Sequence, residues 1–302
     1  MVKNKKMIDL KRNELRIKLI NDGASGIEKK SKSTIDSVLQ HSKEQYLLDV
    51  FEYILAYKDF IDKNYPLALT HVEAALKLNP TLTYAHVLKG NILIDMKEFE
   101  KAIESLDYSI QNLMLINYAI FFCNKGVAFD RMNRTDEAIF CFLRAIEDDI
   151  KDENSYRNCL ICMAKKKDWL NYLSLSQNIR EVFKENVKFI NETISVLMNT
   201  AEIIPKEENL EISEKFLEEA GKQLDLAITK EPENAYILYN LACFNSRTNK
   251  IPEAIEALNK SIEKMESEEI KKRYREWACI DKDLANIREN PQFKEIVLTN
   301  KN

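Results

Sequence analysis

The sequence predicts an all-α fold, an α-solenoid of helix-turn-helix repeats. Three observations carry that prediction. Apolar residues recur at helical spacing: Phe99, Ile103, Leu106, Ile110 and Leu113 follow one another at intervals of 4, 3, 4 and 3, which is one continuous stripe on a helix. The surrounding stretch reads as helix, tight turn and helix, and it returns at intervals of about 34 residues. The chain of 302 residues has only five Gly and six Pro against 45% apolar residues. A β-rich fold needs more turn residues than that, so helices joined by short turns are expected.

The N-terminal segment, residues 1–42, comes first. Residues 1–32 hold ten Lys or Arg and four Asp or Glu, an excess of +6, whereas the whole chain carries −4. Met7, Leu10, Ile17 and Ile20 share one face of a weak basic helix, read as a docking arm or a frayed tail, with the tail favoured. Gly23-Ala24-Ser25-Gly26 reads as a linker that breaks this helix. A phosphate-cradling loop would need a strand before it and Gly-Lys-Ser/Thr after it, and neither is present. Ser33 to His41 is a short helix with Ile35, Val38 and Leu39 apolar.

The repeats begin near Gln45 and run to residue 181. The helix from Tyr46 to Ile61 is apolar on nearly all sides, as a helix buried all round would be, so the segment before it is expected to cover its outer face. Asn64-Tyr65-Pro66 is its turn. The second helix carries Ala68, Val72, Ala75 and Leu78 and ends at Asn79-Pro80, because proline disfavours helix in the preceding residue. A further hairpin follows around Gly90. Another has Phe122, Gly126 and Phe129, a turn at Met132 to Thr135, then Ala138, Phe142, Ala145 and Ile146. A degenerate unit centres on Leu160, with Trp169, Tyr172, Ser176 and Ile179 on its second helix. Then comes a lengthened helix from about Phe183 to Ile204, which adds roughly a dozen residues to the period and marks the expected break between lobes. Residues 182–302 therefore form the last segment. It has a polar loop from Pro205 to Asn209, a helix with Ala220, Leu224, Ala227 and Pro232, one further hairpin and a closing cap.

These positions carry a resemblance. A small residue midway along the first helix, an alanine early in the second, a large residue four later and a small one three after that fall at Ala56, Ala68, Val72 and Ala75. They recur at Gly90, Ala102, Leu106 and Ser109, at Gly126, Ala138, Phe142 and Ala145, and at Ala242, Ala254, Leu258 and Ser261. The pattern resembles tetratricopeptide repeats. Trp277 to Lys294 resembles the segment that closes many prokaryotic arrays of this kind. The resemblance spans roughly residues 45–298. It implies a right-handed superhelix whose first helices line a groove for a partner protein or extended peptide. By alignment the groove-facing positions include Tyr84, Leu88, Asn91 and Asp95, then Ile120, Asn124, Val127 and Arg131, then Asn154, Asn158, Ile161 and Lys165. Of these, Tyr84, Leu88, Asn91, Asn124, Arg131, Asn158 and Lys165 are the candidate partner-binding residues, and the asparagine amides suit a peptide backbone of any sequence. The family's best-known groove grips the C-terminal carboxylate of chaperones with two asparagines and three cations. Asn91 and Asn124 match the asparagines, but Val87, Asn154 and Asn158 stand where the cations belong, so that ligand is rejected. Arg131, Arg157 and Lys165 leave a modest bias toward acidic ligands.

The chemistry-bearing residues form no constellation. Cys159-Leu160-Ile161-Cys162 lies inside a helix with no second ligand pair, so it reads as core packing. His41, His71 and His86 occur in no motif. Glu207, Glu208, Glu211, Glu214, Glu218 and Glu219 read as a solvated helix face, and Lys165-Lys166-Lys167 as a turn. No phosphate loop, nucleophile elbow or HExxH is present. No enzyme, cofactor or metal site is expected. The acidic balance after residue 32 argues against nucleic acid, including the third reading of an RNA-binding helical repeat. No apolar run is long enough for a membrane span, and a reducing, cytosolic location is expected. The alternative to a scaffold is a self-associating homo-oligomer, its groove filled by the N-terminal segment or by a second copy.

Overall fold

The computed structural model describes residues 14–25, 29, 32–44, 47–112 and 118–298. Met7, Leu10, Gly26, Gln45, Tyr46 and Leu113, used in the sequence reading, lie outside them, as do the side chains of Glu207 and Glu208. Every regular element among the described residues is helical. Residues 14–25 form α1. Then follow α2 (Lys32–Glu44), α3 (Leu48–Ile61), α4 (Tyr65–Leu78), α5 (Thr83–Asp95), α6 (Phe99–Asn112), α7 (Ala119–Arg131), α8 (Thr135–Asp148) and α9 (Glu153–Lys166). The remainder is α10 (Trp169–Val182), α11 (Val187–Ile203), α12 (Lys206–Lys230), α13 (Ala235–Arg247), α14 (Ile251–Lys264), α15 (Glu268–Ile280), a 3₁₀ turn (Lys282–Ile287) and α16 (Pro291–Leu298). The fold is an all-α helical-repeat solenoid. The chain divides into two compact units, Met1–Cys162 and Met163–Asn302.

The hairpin turns share one backbone device. Lys63, Lys97, Asn133, Lys167 and Asn249 each have φ between 57° and 61°. In each turn the next residue's N–H reaches back to a carbonyl five residues earlier, as in Asn64 to Asp59 (2.7 Å), Glu98 to Leu93 (2.8 Å), Arg134 to Phe129 (2.9 Å) and Lys250 to Asn245 (2.8 Å). A left-handed residue closing a helix in this way satisfies carbonyls that the helix end leaves open. The first such turn is therefore Asp62-Lys63-Asn64, and Pro66 falls inside the first turn of α4, where its missing N–H costs nothing.

In unit 1 the hairpins α3/α4, α5/α6 and α7/α8 stack in order, with α3, α5 and α7 side by side. The small central residues are where helices approach most closely. A Cβ on Gly90 would lie 2.9 Å from Leu106 Cδ2, and one on Gly126 would lie 2.6–2.9 Å from three atoms of the Phe142 ring. Ala56, Ala68, Ala75, Ala102, Ala138 and Ala145 are fully enclosed.

Two sequence expectations are corrected. The first concerns Gly23, which is not in a linker. It is buried within α1, where an added Cβ would overlap Ile54 Cδ1 and lie 3.4 Å from Val38 Cγ1. Leu19, Ile20 and Val38 join the core formed by Leu47, Val50, Tyr53 and Ile54. Arg16 Nε donates to Asp49 Oδ2 (2.9 Å), which also accepts from Asn79 Nδ2 (2.8 Å). Thus α1 and α2 cover the otherwise exposed side of α3. The second correction concerns the extra length of the period. Phe183 closes α10, and α11 runs for 17 residues, whereas α12 runs for 25 against 14 in α4, α8 and α14. Most of the insertion is therefore an N-terminal extension of the second helix. Its first turn occupies the stretch read as a polar loop after Pro205.

In unit 2, asparagine and serine caps start α11, α13 and α15. Asn186 accepts from Phe189 N–H, Asn234 from Tyr236 and Ile237, and Ser267 from Ile270. The closing segment packs back on α13 through the 3₁₀ turn, burying Leu284, Ile287 and Phe293.

Candidate functional site

The predicted groove residues of unit 1 fall into three groups. Tyr84 near the start of α5 is 42% exposed and meets Tyr53 edge-on, with ring centroids 6.3 Å apart. Ile120, one repeat later on α7, is 49% exposed, and Arg131 at the end of α7 is exposed. Asn91, Asn124 and Asn158 are half-buried. Leu88 is a correction. It is only 3% exposed and belongs to the core with Val50, Ile54 and Ile92, so it is withdrawn from any ligand. Lys165 is exposed in the last turn of α9, within unit 2.

The amides differ in how they are satisfied. Burial pushes the Cys123 thiol's pKa up, and the nearby Ser155 and Asn158 side chains partly offset it. Asn124 Nδ2 is enclosed and has no hydrogen-bond partner among the described residues. A buried donor left without an acceptor is uncommon, and here it lies on α7 between Ile120 and Val127.

The histidines are occupied within the protein. His71 Nδ1 lies 2.6 Å from Glu52 and its Nε2 lies 3.8 Å from Asp59. His86 Nε2 donates to the Pro80 carbonyl (2.8 Å), and burial pushes its pKa below the usual value. Cys159 and Cys162 are buried, and the Cys162 thiol donates to Asp130 Oδ1 (3.3 Å).

Among the described residues, Cys243, Asp281 and Asp283 converge as metal-ligand types. Their atoms are already engaged. Asp281 Oδ2 accepts from Tyr239 OH (3.0 Å) and Trp277 Nε1 (3.1 Å), and Asp283 is ion-paired with Arg247. Burial, then the two aspartates, raise the Cys243 thiol's pKa well above its normal value, so the thiolate a metal needs is disfavoured. The Arg247 guanidinium supplies the positive charge here, and the cluster fastens the closing segment to α13.

A surface the sequence reading missed lies in unit 2. The face between α11 and α13, with α15 alongside, is lined by Asn191, Ser195, Tyr236, Tyr239, Asn240 and Tyr274. Asn240 Nδ2 donates to the Asn191 side chain (2.8 Å) and backbone (3.1 Å), and Asn240 Oδ1 accepts from Ser195 (3.0 Å). The signal was present in the register. Tyr236 stands six residues before Ala242 as Tyr84 stands six before Gly90, and Asn240 stands two before Ala242 as Asn124 stands two before Gly126. No helix among the described residues is long and apolar enough to cross a membrane.

A stretch of 111 residues is 26% identical to the Hsp70-Hsp90 organising protein of Plasmodium falciparum (isolate 3D7), covering 35% of this chain and 19% of that protein. The chain thus spans about a fifth of the length of the curated relative it matches. Among solved structures, the apo form of RapI superposes with a TM-score of 0.50 at 13% identity, covering 86% of this chain and 99% of that one. PilF of Pseudomonas aeruginosa gives 0.49 at 13% identity, covering 89% and 99%. The family model described as "Psidin, N-terminal TPR repeats region" matches residues 56–291. That match takes in well over half of the chain, which therefore belongs to this family of tetratricopeptide-repeat proteins.

Proposed function

We propose that the protein is a non-enzymatic scaffold that binds a partner protein or extended peptide across the first helices of unit 1. The reading rests on Tyr84 and Ile120, exposed at corresponding positions of the successive first helices α5 and α7, with the half-buried Asn91 and Asn124 on the same two helices. Tyr84 and Ile120 would offer apolar contact to a bound segment, and the exposed part of the Asn124 side chain would offer polar contact to its backbone. Asn91 on α5 offers a second amide. The cations of a chaperone-carboxylate groove are missing at Val87, Asn154 and Asn158, so the Hsp70 and Hsp90 for which the Plasmodium relative is named are not carried over to this chain. Arg131 keeps a modest preference for acidic ligands. Cysteines held as thiols suit a reducing, cytosolic setting.

The test is photo-crosslinking from two positions. A benzophenone residue at Ile120 is expected to capture a partner, whereas one at Phe140 on α8, 63% exposed, is not. Asn124→Leu should abolish capture from position 120 while leaving helicity unchanged. Equal capture from both positions would remove the reading.

A further inference from the structure

The last long helix, α15, buries only Ala278. Along α15, Ile270, Tyr274, Trp277 and Ile280 are spaced 4, 3 and 3 apart. That spacing is one stripe of a helix. Trp277 is 54% exposed and Ile280 71%. Tyr236 of α13, 40% exposed, extends the stripe. Tyr274 is held edge-on between Tyr236 (5.8 Å) and Tyr239 (5.3 Å). Together these side chains line an open cleft of about 570 Å³.

The same cleft is bordered by one cation and one anion, Arg273 and Glu276. Both are exposed, and neither forms an ion pair among the described residues. They stand three residues apart on one flank of the stripe. When two copies of such a helix meet antiparallel, like flanks face each other. A two-fold axis passing between positions 273 and 276 then brings Arg273 of each copy opposite Glu276 of the other. Ile270 meets the Ile280 end of the opposite helix, and the two Tyr274–Trp277 pairs cover one another at the centre. Parallel pairing would instead set this flank against the other flank of the partner helix, so Arg273 would not meet Glu276. The neighbouring Lys271 is taken by Glu268 of its own helix (2.8 Å), so it leaves no unmatched charge at the contact.

We propose that this face docks a second copy of the chain, α15 against α15, antiparallel and two-fold symmetric. The charge pattern favours that occupant because it is complementary to itself. The contact uses unit 2 alone and does not depend on the binding reading made for unit 1. One helix pair with Tyr236 at its edge is at the small end of specific interfaces, so the dimer is concentration-dependent.

Sedimentation equilibrium of the full chain tests this. The weight-average mass should rise from 35.3 kDa toward twice that value with concentration. Trp277 emission should shift to the blue over the same range, since Trp169 is already buried. Arg273→Glu alone and Glu276→Arg alone should each weaken association by roughly tenfold or more, with unchanged far-ultraviolet circular dichroism. The double exchange, Arg273→Glu with Glu276→Arg, should restore it. A chain that stays at monomer mass throughout overturns the proposal, and so would a dimer indifferent to the single reversals or not rescued by the double exchange. Failure here leaves crosslinking from Ile120 unaffected, so the two readings fall separately.

Discussion

Gly126 faces the ring of Phe142, whereas Gly90 faces the branched end of Leu106, and that difference sets what each position tolerates. An added methyl group improves helix propensity by about 1 kcal/mol but must find room. A leucine end can rotate aside, and the chain already pairs alanine with leucine at the equivalent positions Ala242 and Leu258. A phenyl ring held 1% exposed has nowhere to go. Gly90→Ala is therefore expected to be nearly neutral, and Gly126→Ala to destabilise by about 1–3 kcal/mol, read as urea midpoints. The same local logic applies to His86. Its burial disfavours the charged form, so the unfolded chain binds a proton more readily than the folded one. The stability this confers is fully present above the ordinary histidine range and is lost as pH falls through the depressed folded value. His86→Gln should lose less stability than the unmodified chain between pH 7.5 and pH 5.5, about one unit either side of that range. Equal losses in the two proteins would show that His86 carries none of the pH dependence.

Elements are where periodicity was a good guide in one place and a poor one in another. Gly90, Gly126 and Ala242 announced their hairpins because alanine follows each at 12 residues, a large apolar residue at 16 and a small one at 19. Gly23 obeys the same spacing with Ile35, Leu39 and Ser42. It was hidden because isoleucine replaces the alanine and a second glycine follows at position 26, which together look like a linker. The extension of α12 was hidden for a different reason. Its opening residues are polar, and a polar stretch leaves apolar periodicity nothing to mark. Further along α12, its buried face is held partly by polar groups. Glu219, 2% exposed, accepts from Arg180 of α10 (2.9 Å) and from Gln223 (3.2 Å). Gln223 in turn donates to the Ser176 carbonyl (3.1 Å) and accepts from Thr193 of α11. Removing one partner of a buried pair strands the other charge. Arg180→Met is therefore expected to destabilise by about 3 kcal/mol, whereas Arg180→Met with Glu219→Leu should recover most of that loss. Denaturation of both variants checks it. If the double variant is no better than the single, the network contributes by geometry and not by charge balance.

Across unit 1, stability should follow the order of stacking. A solenoid is held by contacts within each hairpin and with its immediate neighbours, and the α1/α2 hairpin is the neighbour of α3. It contributes Leu19, Ile20 and Val38, each at most 5% exposed, and the Arg16–Asp49 ion pair (2.9 Å). Deleting residues 1–44 would return the matching face of α3, including Val50 and Ile54, to water. Three enclosed aliphatic side chains correspond to about 5 kcal/mol of burial. The loss should not be shared evenly. Amide exchange is expected to accelerate most in α3 and α4, less in α5 and α6, and least in α7 and α8, because each hairpin feels the missing one only through those between. The exposed face should also add hydrophobic-dye binding beyond that of the intact chain. A uniform acceleration from α3 to α8 would mean that unit 1 opens as one cooperative block. A deletion that leaves exchange in α3 unchanged would mean that the Gly23–Ile54 contact does not hold the first hairpin in place.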